Sequence, residues 1–262
     1  MPNPRTYLAT GIILKKTPFA EADLLINMFS REHGKLRGIV KGAQKSTSRM
    51  VGHFEPLTMV EISASKGRTL DTINQAQIVN NFSDLKSNLS LISQGLYVAE
   101  LLDGFGNESN ANHHLYNVAV ETLVNINTNP DQILNLRWFE IHLLKSTGFG
   151  IEFETCTSCN NDIQPQRHRY SPSHGGLICL ECNQLTEYSH PISLQALKVF
   201  RLIDRTNLLS LPYLNISDAL LLEMKTLLGT TVRYWVDKEI RSNTLWNALN
   251  DWTSKQYSPV RL

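Results

Sequence analysis

From Arg5 to about Phe82 the apolar positions come in short runs with a two-residue alternation, and the runs are separated by turn-forming residues. RTYLATGIILKK, LLINMFSRE, LRGIVKG, LTMVEISASKG and RTLDTINQAQIV read as five strands, with PFAEAD and HGK as turns. The longest connection, AQKSTSRMVGHFEP, lies between the third and fourth strands and is ended by Pro56. Five short strands with one longer segment after the third predict a small Greek-key barrel of the OB type. An SH3-like barrel fits the same strand count.

After Phe82 the period changes. In SDLKSNLSLISQGLYVAELLDGF the apolar residues Leu85, Leu89, Ile92, Leu96 and Ala99 recur at three and four, which predicts one amphipathic helix with Ser83 or Asp84 as its cap. HHLYNVAVETLVNI repeats the pattern, and NPDQILNLRWFEIHLLKSTGFG adds a third helix with Pro130 in its first turn and Gly148 beyond its last. SLQALKVFRLIDR, SDALLLEMKTLLGTTVRYWV and a terminal run around TLWNALNDW extend the helical part. The fold class is therefore α+β and multidomain: an N-terminal barrel, then a helical domain interrupted near Gly150 and resumed at Ser193. No stretch reaches the ~20 apolar residues of a membrane span, and the N-terminus carries no apolar signal-peptide core, so a cytoplasmic protein is expected.

Charge changes the picture only when the chain is divided. The formal net charge is +1, yet residues 1–80 hold 11 Lys and Arg against 6 Asp and Glu, a net of +5, and the remainder holds 14 against 18, a net of −4. The bias concentrates between Arg31 and Arg49, where six basic residues face Glu32 alone. In the third strand Leu36, Gly38 and Val40 share one face, and Lys35, Arg37, Ile39 and Lys41 the other. If the chain then turns into a helix, Lys41, Lys45 and Arg49 stack on one side of it. Two readings follow: a solvated face, or a site for a polyanion such as nucleic acid.

The sharpest motif lies in the interruption. Cys156, Cys159, Cys179 and Cys182 form C-x2-C-x19-C-x2-C and use every cysteine of the chain. Two such turns supply the four thiolates of a structural zinc site, and the segment has too few apolar residues to build a core of its own. Two disulfides are the alternative, disfavoured by a reducing cytosol. A catalytic zinc keeps an open position, and the deaminase signature is missing. His168, His174 and His190 are read as ordinary surface histidines. No phosphate loop, nucleophile elbow or dinucleotide fingerprint is present, and Trp138, Trp235, Trp246 and Trp252 fall in helical runs suited to core or interface roles. An RNA-binding OB protein with a zinc ribbon shares these features, and a zinc-dependent hydrolase is the enzyme alternative.

TGIILKK, HGKLRGIVKGAQKSTSR, LLKSTGFGIEFETCTSCN, YSPSHGGLICLEC and VRYWVDKEIRS, spread over nearly the whole chain, resemble the bacterial RecO recombination-mediator family. The resemblance implies an OB domain over residues 1–80 and a helical domain over 81–262 with a zinc-finger-like insertion at about 150–190. It implies binding of single- and double-stranded DNA and annealing of complementary strands. It further implies contact with single-strand-binding protein and RecR, help in loading RecA, and no catalysis on a covalent bond. The family's basic surface maps onto Lys35, Arg37, Lys41, Lys45 and Arg49, with Lys15, Lys16 and Arg68 beside them, and the string Lys238, Glu239, Ile240, Arg241 and Ser242 matches its charged helix end. Nucleoid association during repair follows from the same resemblance. Some members of the family lack the cysteines, so zinc is not essential to the family's function; here the set is complete.

Overall fold

The computed structural model describes residues 6–45, 48, 50–108, 110–164, 168–182 and 189–236. By their contacts the described residues divide into two units, one up to Thr128 and one over 129–236.

The first unit is built on strands β1 (Thr6–Phe19), β2 (Asp23–Ser30), β3 (Gly34–Val40), β4 (Met59–Ser65) and β5 (Asp71–Asn80), which close in the order β1-β2-β3-β5-β4. All neighbours are antiparallel except β3 and β5, which meet in parallel at Gly38↔Asp71 and Ile39↔Thr72. This closed order is the OB arrangement, and it resolves the choice left by the strand count. Inward positions on alternate residues, among them Ala9, Ile13, Ile26, Met28, Val40, Val60 and Ile62, fill the barrel. The long connection contributes a 3-10 turn, Val51–Phe54, whose Phe54 is fully buried in that core.

Helices α1 (Ser83–Ser87), α2 (Leu89–Phe105) and α3 (His113–Thr128) complete the unit. The single helix expected from Ser83 is two, because Asn88 takes an extended conformation and its side chain accepts from the N–H groups of Ser90 and Leu91. A cap inside the apolar pattern restarts the helix there. The barrel ends near residue 80, but the contact boundary falls after α3 because α2 packs on β1. The segment after α2 also lies along β3, where Lys35 N–H donates to Asn107 O at 2.9 Å. Gly34 makes that approach possible: its φ is +66°, and a Cβ there would stand 2.3 Å from Asn110 O.

The second unit holds α4 (Asn135–Ser146), α5 (Leu194–Arg205) and α6 (Asp218–Trp235), with a small sheet in the order β7-β6-β8 from β6 (His168–Ser171), β7 (Gly176–Ile178) and β8 (His190–Ile192). α4 begins later than the pattern predicts. Pro130 lies in a turn that ends at Asn135, and Gln132 donates its amide to Leu211 O instead of joining the helix. Phe149 N–H to Leu144 O and Gly148 N–H to Lys145 O close α4 in a Schellman motif. Ser193 and Ser217 cap α5 and α6. Trp138 is buried and donates to Thr206 O, and Trp235 stacks on Phe149, in keeping with the structural roles expected of both. The run around TLWNALNDW, Trp246, Trp252 and the string from Lys238 to Ser242 lie outside the described residues. No helix among the described residues is long and apolar enough to cross a membrane.

Candidate nucleic-acid interface and cysteine cluster

The outer face of the barrel places side chains in rows fixed by strand register. Lys15 pairs with Asn27, and Asn27 with Arg37, so these three form one outward row across β1, β2 and β3. At about 4.8 Å between strands, the row spans about 10 Å. Lys15 and Arg37 are exposed, and neither makes an ion pair among the described residues. A register shift between Ile13 and Lys15 re-aims β1, so that buried Leu14 is followed by outward Lys15. That shift is invisible in the two-residue alternation of the sequence.

Beyond β3 the chain does not enter a helix. Lys41 to Gln44 form a turn in which Gly42 has φ +65°, its N–H donates to Asp23 Oδ1, and Gln44 N–H donates to Ala22 O. A left-handed glycine and a carboxylate acceptor close the turn against the β1–β2 connection, and Lys41 and Lys45 do not stack on one side of a helix. Lys41 and Lys45 are exposed there, and Arg49 lies outside the described residues. Arg68 is exposed on the β4–β5 loop, beside which β5 meets β3 at Gly38↔Asp71. Lys66 on the same loop is also exposed and was not singled out by the sequence, because the loop joins the β3 side only through that long-range pairing.

Lys35 and Lys16 are engaged elsewhere. The Lys35 side chain is 17% exposed, donates to Asp103 O at 2.7 Å and stands 3.7 Å from Asp103 Oδ1, holding β3 to the end of α2. It shares the outward parity of Arg37, but its cross-strand neighbour is the fully buried Phe29. Lys16 pairs with Glu55. Tyr7, Phe19 and Phe29 are the few aromatic residues of the barrel that could stack on bases, and of these Phe29 is core. Tyr7 donates to Asp71 and packs edge-on against His33; burial is the main cause of a phenol pKa pushed up from its usual value, with the Asp71 hydrogen bond and charge adding to it. Phe19 alone of the three is well exposed.

In the second unit the four cysteine sulfurs converge to within 4.8 Å of one another. Cys156 and Cys159 sit on a turn closed by Cys156 N–H to Asn161 O and Asn160 N–H to Cys156 O. Asn160 takes φ +60°, a conformation asparagine tolerates. The second pair follows β7, and Thr157 N–H donates to Leu177 O, so the sheet holds one turn against the other. Cys159 Sγ and Cys179 Sγ are 3.9 Å apart. Tetrahedral zinc with Zn–S of about 2.3 Å requires sulfurs about 3.8 Å apart, so the donor set fits. Burial raises the Cys156 thiol, but N–H groups of Cys179, Cys159 and Ser158 outweigh it and bring the pKa to about 6. Hydrogen bonds that the Cys182 thiol donates, first to Cys179 and then to Cys159, push it up to about 12. The cluster is suited to a structural metal ion.

The histidines lie apart from this cluster: among the described residues only the four cysteines form a metal-ligating group. His174 is exposed and its Nδ1 is 3.1 Å from Ser171 Oγ. His168 is not a surface residue: it is 3% exposed, with Nε2 2.6 Å from Gln164 O, because β6 is covered on both faces.

Two family models account for nearly all of the chain: "Recombination protein O N terminal" over residues 5–82 and "Recombination protein O C terminal" over 86–244. A protein named "DNA repair protein RecO" from Dehalococcoides mccartyi is 31% identical over 91% of this chain and 94% of its own length. Proteins of the same name from Roseiflexus sp. and Desulforamulus reducens are 30% identical over 91% of this chain and 84% of theirs, and 27% over 94% and 95%. With an OB-type barrel followed by helices that carry a four-cysteine cluster, and with both family models matched in order, the chain belongs to the recombination protein O family of DNA repair and recombination.

Proposed function

We propose that the protein is a recombination mediator that binds single- and double-stranded DNA on the outer face of β1–β3 and anneals complementary strands. The observation that carries this reading is the outward row of Lys15 and Arg37, with Lys41, Lys45 and Arg68 exposed at its margins, on the barrel of a DNA-repair family. Arg49 belongs to the same proposal by its place in the sequence. Lys35 and Lys16 contribute mainly by holding the barrel together, since each has an acidic partner.

Basic side chains at the surface neutralise phosphates and release counterions without reading sequence. A strand held by its backbone keeps its bases free, and a second strand screened by the same surface can pair with it. With Phe19 the one accessible aromatic of the three candidates, stacking adds little. By the same reading the protein acts with RecR to load RecA on DNA coated by single-strand-binding protein, works in the bacterial cytoplasm and at the nucleoid during repair, and catalyses no covalent step. The four thiolates hold Zn2+, which supplies folding free energy to a segment with little core of its own.

The test is annealing of two complementary oligonucleotides, each coated with single-strand-binding protein, followed by fluorescence. Annealing that requires the protein, and RecA loading that requires RecR in addition, are expected. Binding to DNA without either activity would contradict the mediator role, and preference for RNA in competition would move the protein to the other nucleic acid.

A further inference from the structure

The four cysteines differ in their exposure. Cys156 is fully buried and accepts the Cys179 N–H at 3.3 Å, Cys179 and Cys182 are half-buried, and Cys159 is exposed. All four sulfurs lie within 4.8 Å of one another, and across the two cysteine turns Cys159 Sγ stands 3.9 Å from Cys179 Sγ. A cysteine holds zinc through its sulfur as a thiolate, so the zinc reading puts an exposed thiolate at Cys159. A thiolate that solvent reaches is the form a peroxide attacks.

We infer that Cys159 is an oxidation site, and that a hydroperoxide converts it, with Cys179, into a disulfide that joins the two cysteine turns and releases the metal. This rests on the zinc reading above. In the first step the Cys159 sulfur attacks a peroxide oxygen. An S–O bond forms, the O–O bond breaks, and hydroxide leaves, or alkoxide from an organic hydroperoxide. In the second step the Cys179 thiolate attacks the sulfenic sulfur. The S–S bond forms, the S–O bond breaks, and a second hydroxide leaves. The two thiolates give up two electrons, the peroxide is reduced by two, and the two anions take up two protons from water. Only Cys156 and Cys182 would then remain to hold the metal. A link within the first turn is disfavoured, because Cys156 Sγ is buried and held by backbone donors. Thiols reverse the disulfide, so in a reducing cytosol the modification is transient.

The test uses the full chain after its zinc content has been measured. Hydrogen peroxide is added, released zinc is followed with a chromogenic chelator, and free thiols are blocked before trypsin digestion. Cleavage after Lys145, Arg167, Arg169 and Lys198 puts the two cysteine turns on separate peptides, 146–167 and 170–198. Expected are one zinc released per chain and a cross-linked pair of these peptides whose fragmentation places the bond at Cys159 and Cys179. Cys159→His keeps a four-ligand site and should release zinc at least several-fold more slowly, with no cross-linked pair; Cys182→His should remain sensitive. Links confined within each peptide, sulfinic acid without a link, or a Cys159→His protein as sensitive as the parent would overturn the inference. A chain isolated without zinc would contradict the metal reading alone, and the same peptide map on that chain would still decide the disulfide.

Discussion

Lys35 and Arg37 share a strand face and a charge, and the structure separates their roles by what each one meets. Lys35 spends its charge on Asp103, whereas Arg37 faces solvent beside Asn27. Arg37→Ala should therefore weaken DNA binding and leave the melting temperature within about a degree or two, as a surface change of about ±0.5 kcal/mol would. Lys35→Ala should lower the melting temperature and leave the salt dependence of DNA binding unchanged; differential scanning fluorimetry and a salt titration of both variants check the pair. Gly34→Ala sets a Cβ against Asn110 O in the left-handed region and should cost about 1–3 kcal/mol in urea unfolding. Tyr116 yields a pH prediction. Its burial, with Glu32 nearby and Arg31 opposing, raises the phenol to about 12. The folded chain then keeps the proton longer than the unfolded chain, so this contribution is whole below about pH 10 and is lost as pH rises from about 10 to about 12. The hydroxyl has no hydrogen-bond partner among the described residues, so Tyr116→Phe should leave neutral stability unchanged or slightly raised and make the alkaline loss shallower in urea titrations at about pH 8 and about pH 11.

At the scale of elements, the alternation of apolar residues is enough to place the five strands, and the three-and-four spacing to place the helices. What it misses comes from side chains that compete for the backbone. Asn88 splits one helix into two, Asp23 captures the Gly42 N–H and keeps Lys41 to Lys45 out of a helix, and the register shift before Lys15 changes which side that lysine faces. Each is a local hydrogen-bonding choice with no periodicity to announce it. His168 was missed for a related reason, since burial of β6 on both faces is a tertiary fact. The cysteine cluster, by contrast, was legible in full, because two C-x2-C turns can converge only if they share a centre. Chelation, or Cys156→Ser, should lower the thermal stability of the second unit while the folded fraction keeps its DNA affinity; calorimetry paired with binding checks this, and a parallel loss of affinity would tie the cluster to the DNA site.

For the whole molecule, the near-zero net charge conceals a basic first 80 residues and an acidic remainder, and that division supports the proposal that DNA binds the barrel. Order along the chain carried the family, since strings from both ends and from the cysteine turns recur in one sequence. The partners proposed above, single-strand-binding protein and RecR, are announced by no motif, because recognition of a protein surface depends on shape, which no spacing records. The central claim concerns the β1–β3 face, and fluorescence anisotropy of labelled single-stranded DNA across a salt series tests it most directly. If Lys15 and Arg37 each neutralise one phosphate, the double Lys15→Ala, Arg37→Ala variant should show weaker binding and a log–log salt slope shallower by about 1.4. An unchanged slope and affinity in a folded double variant would contradict the account and move the DNA site off this face.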